Sequence, residues 1–322
     1  MAEQLGVRTG NPASRVAGKN AGEAGSGIVH AMTVDVEDYY HVAALSGVIS
    51  RDQWSTLPSR VERNTELLLE LFASHGVKAT FFVLGVVAER HPDLIRRIAD
   101  QGHEIASHGH SHQLIYNQDQ KVFRSETAYA KGLIEDIIQK PVAGYRAASY
   151  SITGNSLWAL DILAELGFSW DSSVFPIRHD RYGIPGTPRT PYKISTSNGQ
   201  TLIEFPLATA RIMGLTVPAA GGGYFRQFPY PVFRYLFDKA SEGGLQPQMF
   251  YLHPWEIDPD QPRYQNASWL SRFRHYTNLD KCFDRLERLL TDFQFGTVTE
   301  SYNACNLNRN ILNSNNMLPL AS

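Results

Sequence analysis

From about residue 28 the chain alternates short apolar runs with longer stretches whose apolar residues recur at helical spacing. Residues 28–34 form an apolar run that reads as a strand and leads into the acids Asp35, Glu37 and Asp38. Val61, Leu67, Leu68, Leu71 and Phe72 then fall on one helical face across residues 59–75, with Gly76 as the stop. Residues 77–84 read as a second strand, and Pro92 suits the first turn of a helix that ends near Gly102. A third strand over 103–107 opens into a histidine-rich loop. A helix over 120–139 leads to a short strand at 142–146. A further helix over 155–166 is capped by Thr153 or Asn155 and stopped by Gly167. Residues 255–300 look largely helical.

Strands alternating with helices predict parallel βαβ units, hence an α/β sheet or barrel. No internal repeat and no linker divides the chain, so one domain over 28–300 is expected between an N-terminal tail, 1–27, and a C-terminal tail, 301–322. Residues 176–230 are rich in proline and glycine and predict loops and hairpins that decorate this domain. A chain of 322 residues is long enough to bury a sizeable core.

Composition narrows the function. The net charge is −2 and the pI about 6.6, which provides no basic field for nucleic acid. No apolar run reaches the length of a transmembrane span. Two cysteines, Cys282 and Cys305, exclude a disulfide framework and a cysteine-rich zinc site. Residues 1–27 lack the basic start and apolar core of a secretory signal, so a cytoplasmic location is expected.

The most informative motif is Ser107-His108-Gly109-His110-Ser111-His112 at a strand end. His108 and His112 are four apart, so one helical turn would bring both imidazoles to one ion, with His110 pointing elsewhere. The acids Asp35, Glu37 and Asp38 at another strand end could complete such a site, because two imidazoles commonly take a carboxylate as third ligand. A further acid could then act as general base. Arg146 stands at the end of the 142–146 strand and could hold that base ionised through a charge-assisted pair. His253 follows the apolar run Phe250-Tyr251-Leu252 and could protonate a leaving amine. Each cluster taken singly also reads as ordinary surface or core.

Taken in order, these clusters resemble the metal-dependent polysaccharide deacetylases of the NodB-homology family, over about residues 28–300. More narrowly they resemble the branch associated with exosortase in bacterial exopolysaccharide loci. The segments Thr33-Val34-Asp35-Val36-Glu37-Asp38-Tyr39-Tyr40-His41 and Leu252-His253-Pro254-Trp255-Glu256 carry the narrower likeness. The resemblance implies a distorted (β/α) barrel of about seven strands. It also implies a divalent metal, Zn²⁺ first with Co²⁺ or Ni²⁺ as alternatives, and hydrolysis of N-acetyl groups on an amino-sugar polymer with release of acetate. Asp35 matches the family's catalytic base, His253 its acid, Arg146 the arginine tethering the base, and His108 and His112 the metal histidines. Asp171-Ser172-Ser173 matches a groove wall with Trp170 beside it, and Leu252 the residue flanking the acetyl pocket.

The sequence departs from the family where two adjacent aspartates are usual. Asp35 is followed by Val36, and the third metal ligand is Glu37 or Asp38, with Glu37 favoured because a strand's period of two puts it on the face of Asp35. A proline usual after the arginine is replaced at Ala148-Ser149. Tyr150, by its side chain or a nearby backbone N–H, Tyr224 and Arg211 are further candidates for substrate contact, together with His179, Asp180 and Arg181. Trp54, Tyr145, Phe225 and Trp255 could stack on sugars, and Gly221-Gly222-Gly223 suggests a mobile substrate loop. The expected partner is a carbohydrate, with self-association left open. Two other readings compete on the same scaffold: a hydrolase of small cyclic amides or imides, and a catalytically silent carbohydrate-binding protein.

Overall fold

The structure, a computed structural model, describes residues 28–179, 181–308 and 317–319. The expected tail 1–27, Asp180 and most of the expected C-terminal tail lie outside them. The strands are β1 (His30–Val36), β2 (Thr80–Val83), β3 (Glu104–Ser107), β4 (Gly144–Tyr145), β5 (Trp170–Asp171), β6 (Tyr192–Ser195), β7 (Thr201–Glu204), β8 (Thr209–Ile212), β9 (Leu215–Pro218), β10 (Met249–Leu252), β11 (Phe295–Gly296) and β12 (Met317–Pro319). The main sheet runs β10-β1-β2-β3-β4-β5-β7-β6-β12, with β11 also beside β1, and every pairing except β6 with β7 is parallel.

Helices α1 (Val61–Ser74), α2 (Gly85–Arg90), α3 (Pro92–Asp100), α4 (Gln120–Ile138) and α5 (Trp158–Glu165) provide the crossovers between β1 and β5. All seven residues of β1 are buried, as a strand covered on both faces requires. The predicted order of strands and helices therefore holds through α5, with helix α2 missed. Neither Thr153 nor Asn155 caps α5, whose first turn makes no side-chain cap hydrogen bond. Helix Val298–Asn308 takes in the start of the expected C-terminal tail.

Among the described residues no continuous strand ladder closes the sheet into a barrel. The chain running on from β7 covers the outer edge of β10 instead. Ala208 donates its N–H to the carbonyl of Met249 at 3.4 Å, and the Tyr251 N–H donates to the Ala220 carbonyl at 2.7 Å. Residues 176–230 contain the expected hairpins, β6–β7 and β8–β9, but β7 belongs to the main sheet through its pairing with β5. No helix among the described residues is long and apolar enough to cross a membrane.

Candidate active site

Parallel register brings residues from distant parts of the chain to one level. Val36 pairs with Val83, Val83 with Ser107, Ser107 with Tyr145, and Tyr145 with Asp171. One residue beyond this row, at the C-terminal ends of the strands, lie Glu37, His108, Arg146 and Ser172. Val34 pairs with Leu252, so His253 stands level with Asp35. The strand-end position is where α/β folds characteristically build sites, because the loops there are free to vary without disturbing the sheet.

Glu37, His108 and His112 are all buried and offer ligand atoms within 4.8 Å of one another. The histidines do not reach this arrangement through a helical turn, as their spacing suggested. Gly109 and His112 instead adopt left-handed backbone angles, φ 76° and 51°, that fold the loop back. The His108 Nδ1 lies 2.9 Å from the Arg146 carbonyl, which as acceptor directs the other ring nitrogen to a ligand. Glu37 Oε2 is buried without a hydrogen bond, 3.2 Å from His112 Nε2. An orphaned carboxylate oxygen beside two imidazoles is the donor set that a divalent cation completes. Burial pushes His112 down to about 4, so its ring is neutral, as a ligand must be. Burial alone would raise Glu37, but His112 and His253 outweigh it and hold the carboxyl well below the usual range.

Asp38, the other acid considered for the cluster, is used elsewhere. Its carboxylate accepts the Ser59 hydroxyl at 2.6 Å and the backbone N–H groups of Arg60, at 3.0 Å, and Val61, at 3.3 Å. It thus serves the unsatisfied amides at the start of α1. His110 points away from the cluster and packs edge-on against Tyr129.

Arg146 is wholly buried. It donates to Asp35 Oδ1 at 2.6 Å, to Thr33 Oγ1 at 3.0 Å and to Ser172 Oγ at 3.2 Å, with its guanidinium 3.8 Å from the centre of the Phe82 ring. This geometry fixes the Asp35 carboxylate and leaves Oδ2 3.8 Å from His253 Nε2. His253 Nε2 lies 2.9 Å from Glu37 Oε1, and Nδ1 lies 2.7 Å from Glu256 Oε1. Glu256 in turn accepts from Arg226 Nε at 2.6 Å. Burial would lower His253, but Glu37 and Glu256 prevail and push it up to about 10. The sequence reading missed both Glu256 and Arg226; the spacing His253-x-x-Glu256 was the available signal.

An open cavity of about 510 Å³ reaches His253 and is lined by Tyr116, Ser149, Tyr182, Tyr224, Tyr251 and Trp255, among others. Tyr224 is therefore at the cleft as expected. Five other expected substrate contacts do not line it. Trp170 is buried between Phe82 and Phe205, Leu252 is buried in the core, and Asp171 is buried and bonded to Ser173. Arg211 sits exposed on the β8–β9 hairpin, outside the cleft lining. The cause is the same for the three buried residues: each occupies a strand, so it belongs to the sheet interior rather than to the loops above. Tyr150 is buried beneath the cleft against Tyr251, and its N–H already donates to the Ala147 carbonyl. Tyr145 and Phe225 are also core residues. The triple glycine is not a mobile loop: Gly221 and Gly222 are buried against Tyr251 at the start of helix α6 (Gly222–Gln227).

Fold and site together define an α/β protein that gathers a buried His–His–Glu cluster, an Arg-tethered aspartate and a histidine at its strand ends. Residues 52–169 match the polysaccharide deacetylase family, and residues 172–303 match a domain of unknown function, DUF3473. The polysaccharide deacetylase match thus covers residues 52–169, less than half of the chain. His108, His112 and Arg146 fall in the first match and His253, Glu256 and Arg226 in the second, while Asp35 and Glu37 precede both.

The chain is 36% identical over 81 residues to a peptidoglycan-N-acetylglucosamine deacetylase of Bacillus cereus, covering 25% of this chain and 28% of that one. It is 31% identical over 97 residues to a chitooligosaccharide deacetylase of a Bradyrhizobium strain, covering 30% and 42%. The match therefore spans less than half the length of either relative. Among solved structures, a Mycobacterium smegmatis chain assigned as a polysaccharide deacetylase superposes with a TM-score of 0.59 at 18% identity, covering 89% of this chain and 93% of that one. The allantoinase Puue superposes with a TM-score of 0.55 at 16% identity, covering 87% and 90%. These likenesses concern the fold, which proteins with different names share.

Proposed function

We propose that this protein hydrolyses N-acetyl groups on an amino-sugar polymer, with a divalent metal at Glu37, His108 and His112. The observation that carries the reading is the meeting of that cluster with Asp35 and His253, one carboxylate and one imidazole 3.8 Å apart beside it. Two imidazoles and one carboxylate suit Zn²⁺, with Co²⁺ and Ni²⁺ as close substitutes. When bound, such a metal supplies Lewis acidity toward the acetamide carbonyl and toward water.

The remaining work falls to the chain's own side chains. Arg146 keeps Asp35 ionised and aimed, so that its free oxygen can take a proton from the attacking water. The new C–O bond makes a tetrahedral carbon on the substrate. His253 then gives its Nε2 proton to the sugar nitrogen as the C–N bond breaks, and acetate and an amine leave. Amide hydrolysis needs both transfers, since an unprotonated amine is a poor leaving group; general acid–base steps of this kind contribute about 10²–10⁴-fold each. Glu256 holds His253 by Nδ1 and so presents the other nitrogen to the reacting bond. The open aromatic-lined cavity favours a sugar chain over a small enclosed ring.

Acetate release from N-acetylglucosamine oligomers by metal-stripped protein reloaded with Zn²⁺ tests the reading. Release is expected with wild type and is expected to vanish in Asp35→Asn while the metal stays bound. Ring opening of hydantoin-like compounds in place of acetate release would move the assignment to a cyclic amide hydrolase. Oligosaccharide binding without turnover of either substrate would make the protein a silent carbohydrate binder.

A further inference from the structure

We propose that the polymer taken by this cleft is anionic, its amino sugars alternating with or flanked by carboxylate-bearing sugars. This substrate class rests on the deacetylase reading above. Arg181 and Arg274 both line the cavity that reaches His253, both are exposed, and neither forms an ion pair among the described residues. Arg60, Arg96, Arg97, Arg124, Arg189 and Arg234 pair with carboxylates elsewhere on the molecule, while Arg211, on the β8–β9 hairpin, shares with the two cleft arginines the lack of an ion pair among the described residues. None of the described lining residues is an aspartate or glutamate. The acids at the floor are already engaged: Asp35 with Arg146, Glu37 with the imidazoles, and Glu256 with Arg226 and His253.

The described lining of the cleft thus carries two exposed guanidinium groups and no carboxylate. Between them stand phenol rings, with the hydroxyls of Tyr182 and Tyr224 3.5 Å apart. Aromatic faces accept the apolar faces of sugars of any charge. Guanidinium forks add selection for carboxylates, which they can hold through two parallel hydrogen bonds. The same charge disfavours the product, because every acetyl group removed leaves an ammonium that the arginines repel. Anionic neighbours attract the chain to the cleft, and cationic neighbours release it.

The test compares two hexasaccharides of the same length, a neutral N-acetylglucosamine oligomer and a hyaluronan oligomer in which glucuronate alternates with N-acetylglucosamine. Binding to the Zn²⁺-loaded full chain is measured by calorimetry, in parallel with acetate release. At low salt the hyaluronan oligomer is expected to bind about five- to tenfold more tightly, the scale of two exposed charge pairs. The advantage should shrink at about 0.2 M NaCl, where the Debye length falls below about 8 Å. Arg181→Gln combined with Arg274→Gln should remove the preference, and the charge-matched pair Arg211→Gln with Arg263→Gln, both outside the cleft lining, should retain it. Equal or tighter binding of the neutral oligomer at low salt would overturn the proposal, as would a preference that survives the double substitution. A salt-sensitive preference for hyaluronan with acetate released from neither oligomer would uphold the charge selectivity and sink the deacetylase reading, so the two failures are distinguishable.

Discussion

His253 and Glu256 stand three residues apart on one 3₁₀ turn, and Glu256 Oε1 lies 2.7 Å from His253 Nδ1. Glu256 also takes the Arg226 guanidinium, whose other N–H groups donate to the carbonyls of Arg274, His275 and Thr277. The orientation of one imidazole is thus tied to the end of the helix Trp269–Tyr276. Glu256→Gln should keep the fold and lower kcat by about 10–100-fold, comparable to losing an outer-shell partner. Glu256→Ala should do more harm, since it strands a buried guanidinium and costs about 3–5 kcal/mol. Steady-state kinetics beside urea unfolding separates the two effects; unchanged kcat in Glu256→Gln would remove its positioning role.

Two neighbouring acids should behave oppositely. Glu37→Gln is expected to lose bound zinc with little change in stability. Asp38→Ala should keep one equivalent of zinc yet lose about 1–2 kcal/mol, because the first amides of α1 lose their acceptor. Metal analysis after dialysis and urea midpoints check both, and zinc loss in Asp38→Ala would reverse the assignment.

Acid should weaken the fold through His30. Its ring is packed among Phe237, Phe293 and Phe295, its Nδ1 accepts the Gln248 N–H at 3.1 Å, and burial pushes its pKa down to about 4. In the unfolded chain the ring titrates near 6.5. Below that pH the unfolded state binds a proton that the folded state refuses, so stability falls as the pH drops from 6.5 toward 4 and levels off beneath it. The loss between pH 7 and pH 5 is about 2 kcal/mol from this residue. Urea unfolding of His30→Gln should show a correspondingly flatter pH dependence; an identical slope would exclude this residue as the source.

Gly221 cannot accept a side chain. Its φ is +130°, and a Cβ there would stand 1.9 Å from the Tyr251 carbonyl oxygen. Gly221→Ala should therefore push against β10 and destabilise by several kcal/mol, at the severe end for point substitutions. Gly47→Ala, with nothing within 4 Å of the added carbon, should be near neutral. Thermal unfolding of the two variants makes the comparison.

The strand-and-helix order was legible because each βαβ unit carries its own local pattern: a continuous apolar run, a 3.6-residue periodicity, and a glycine or proline at the boundary. The register that brings Asp35 level with His253 was not, since it arises from pairing between residues over 200 positions apart. Side chains singled out where a loop follows a strand, Glu37, His108, Arg146 and His253, do stand together at the strand ends. They were misread where a motif runs through the strand itself. Trp170 and Asp171 lie within β5, and close packing claims both: an added Cβ at Gly144 would stand 2.0 Å from the Trp170 ring. Arg211 failed for a different reason, since a hairpin can carry charge without facing the cleft. The pairing of Glu256 with Arg226 leaves no periodic trace, since the partners lie thirty positions apart, and only the spacing His253-x-x-Glu256 hints at one half of it.

The place of β1 has a consequence for how the chain is made. It is flanked by β2 on one side and by β10 on the other, and a ribosome delivers the latter only after some two hundred further residues. Throughout that interval the β10-facing edge of β1 lacks its hydrogen-bonding partner, and an unpaired strand edge is where unfinished proteins stick to one another. That edge is covered only once residues 249–252 have been made.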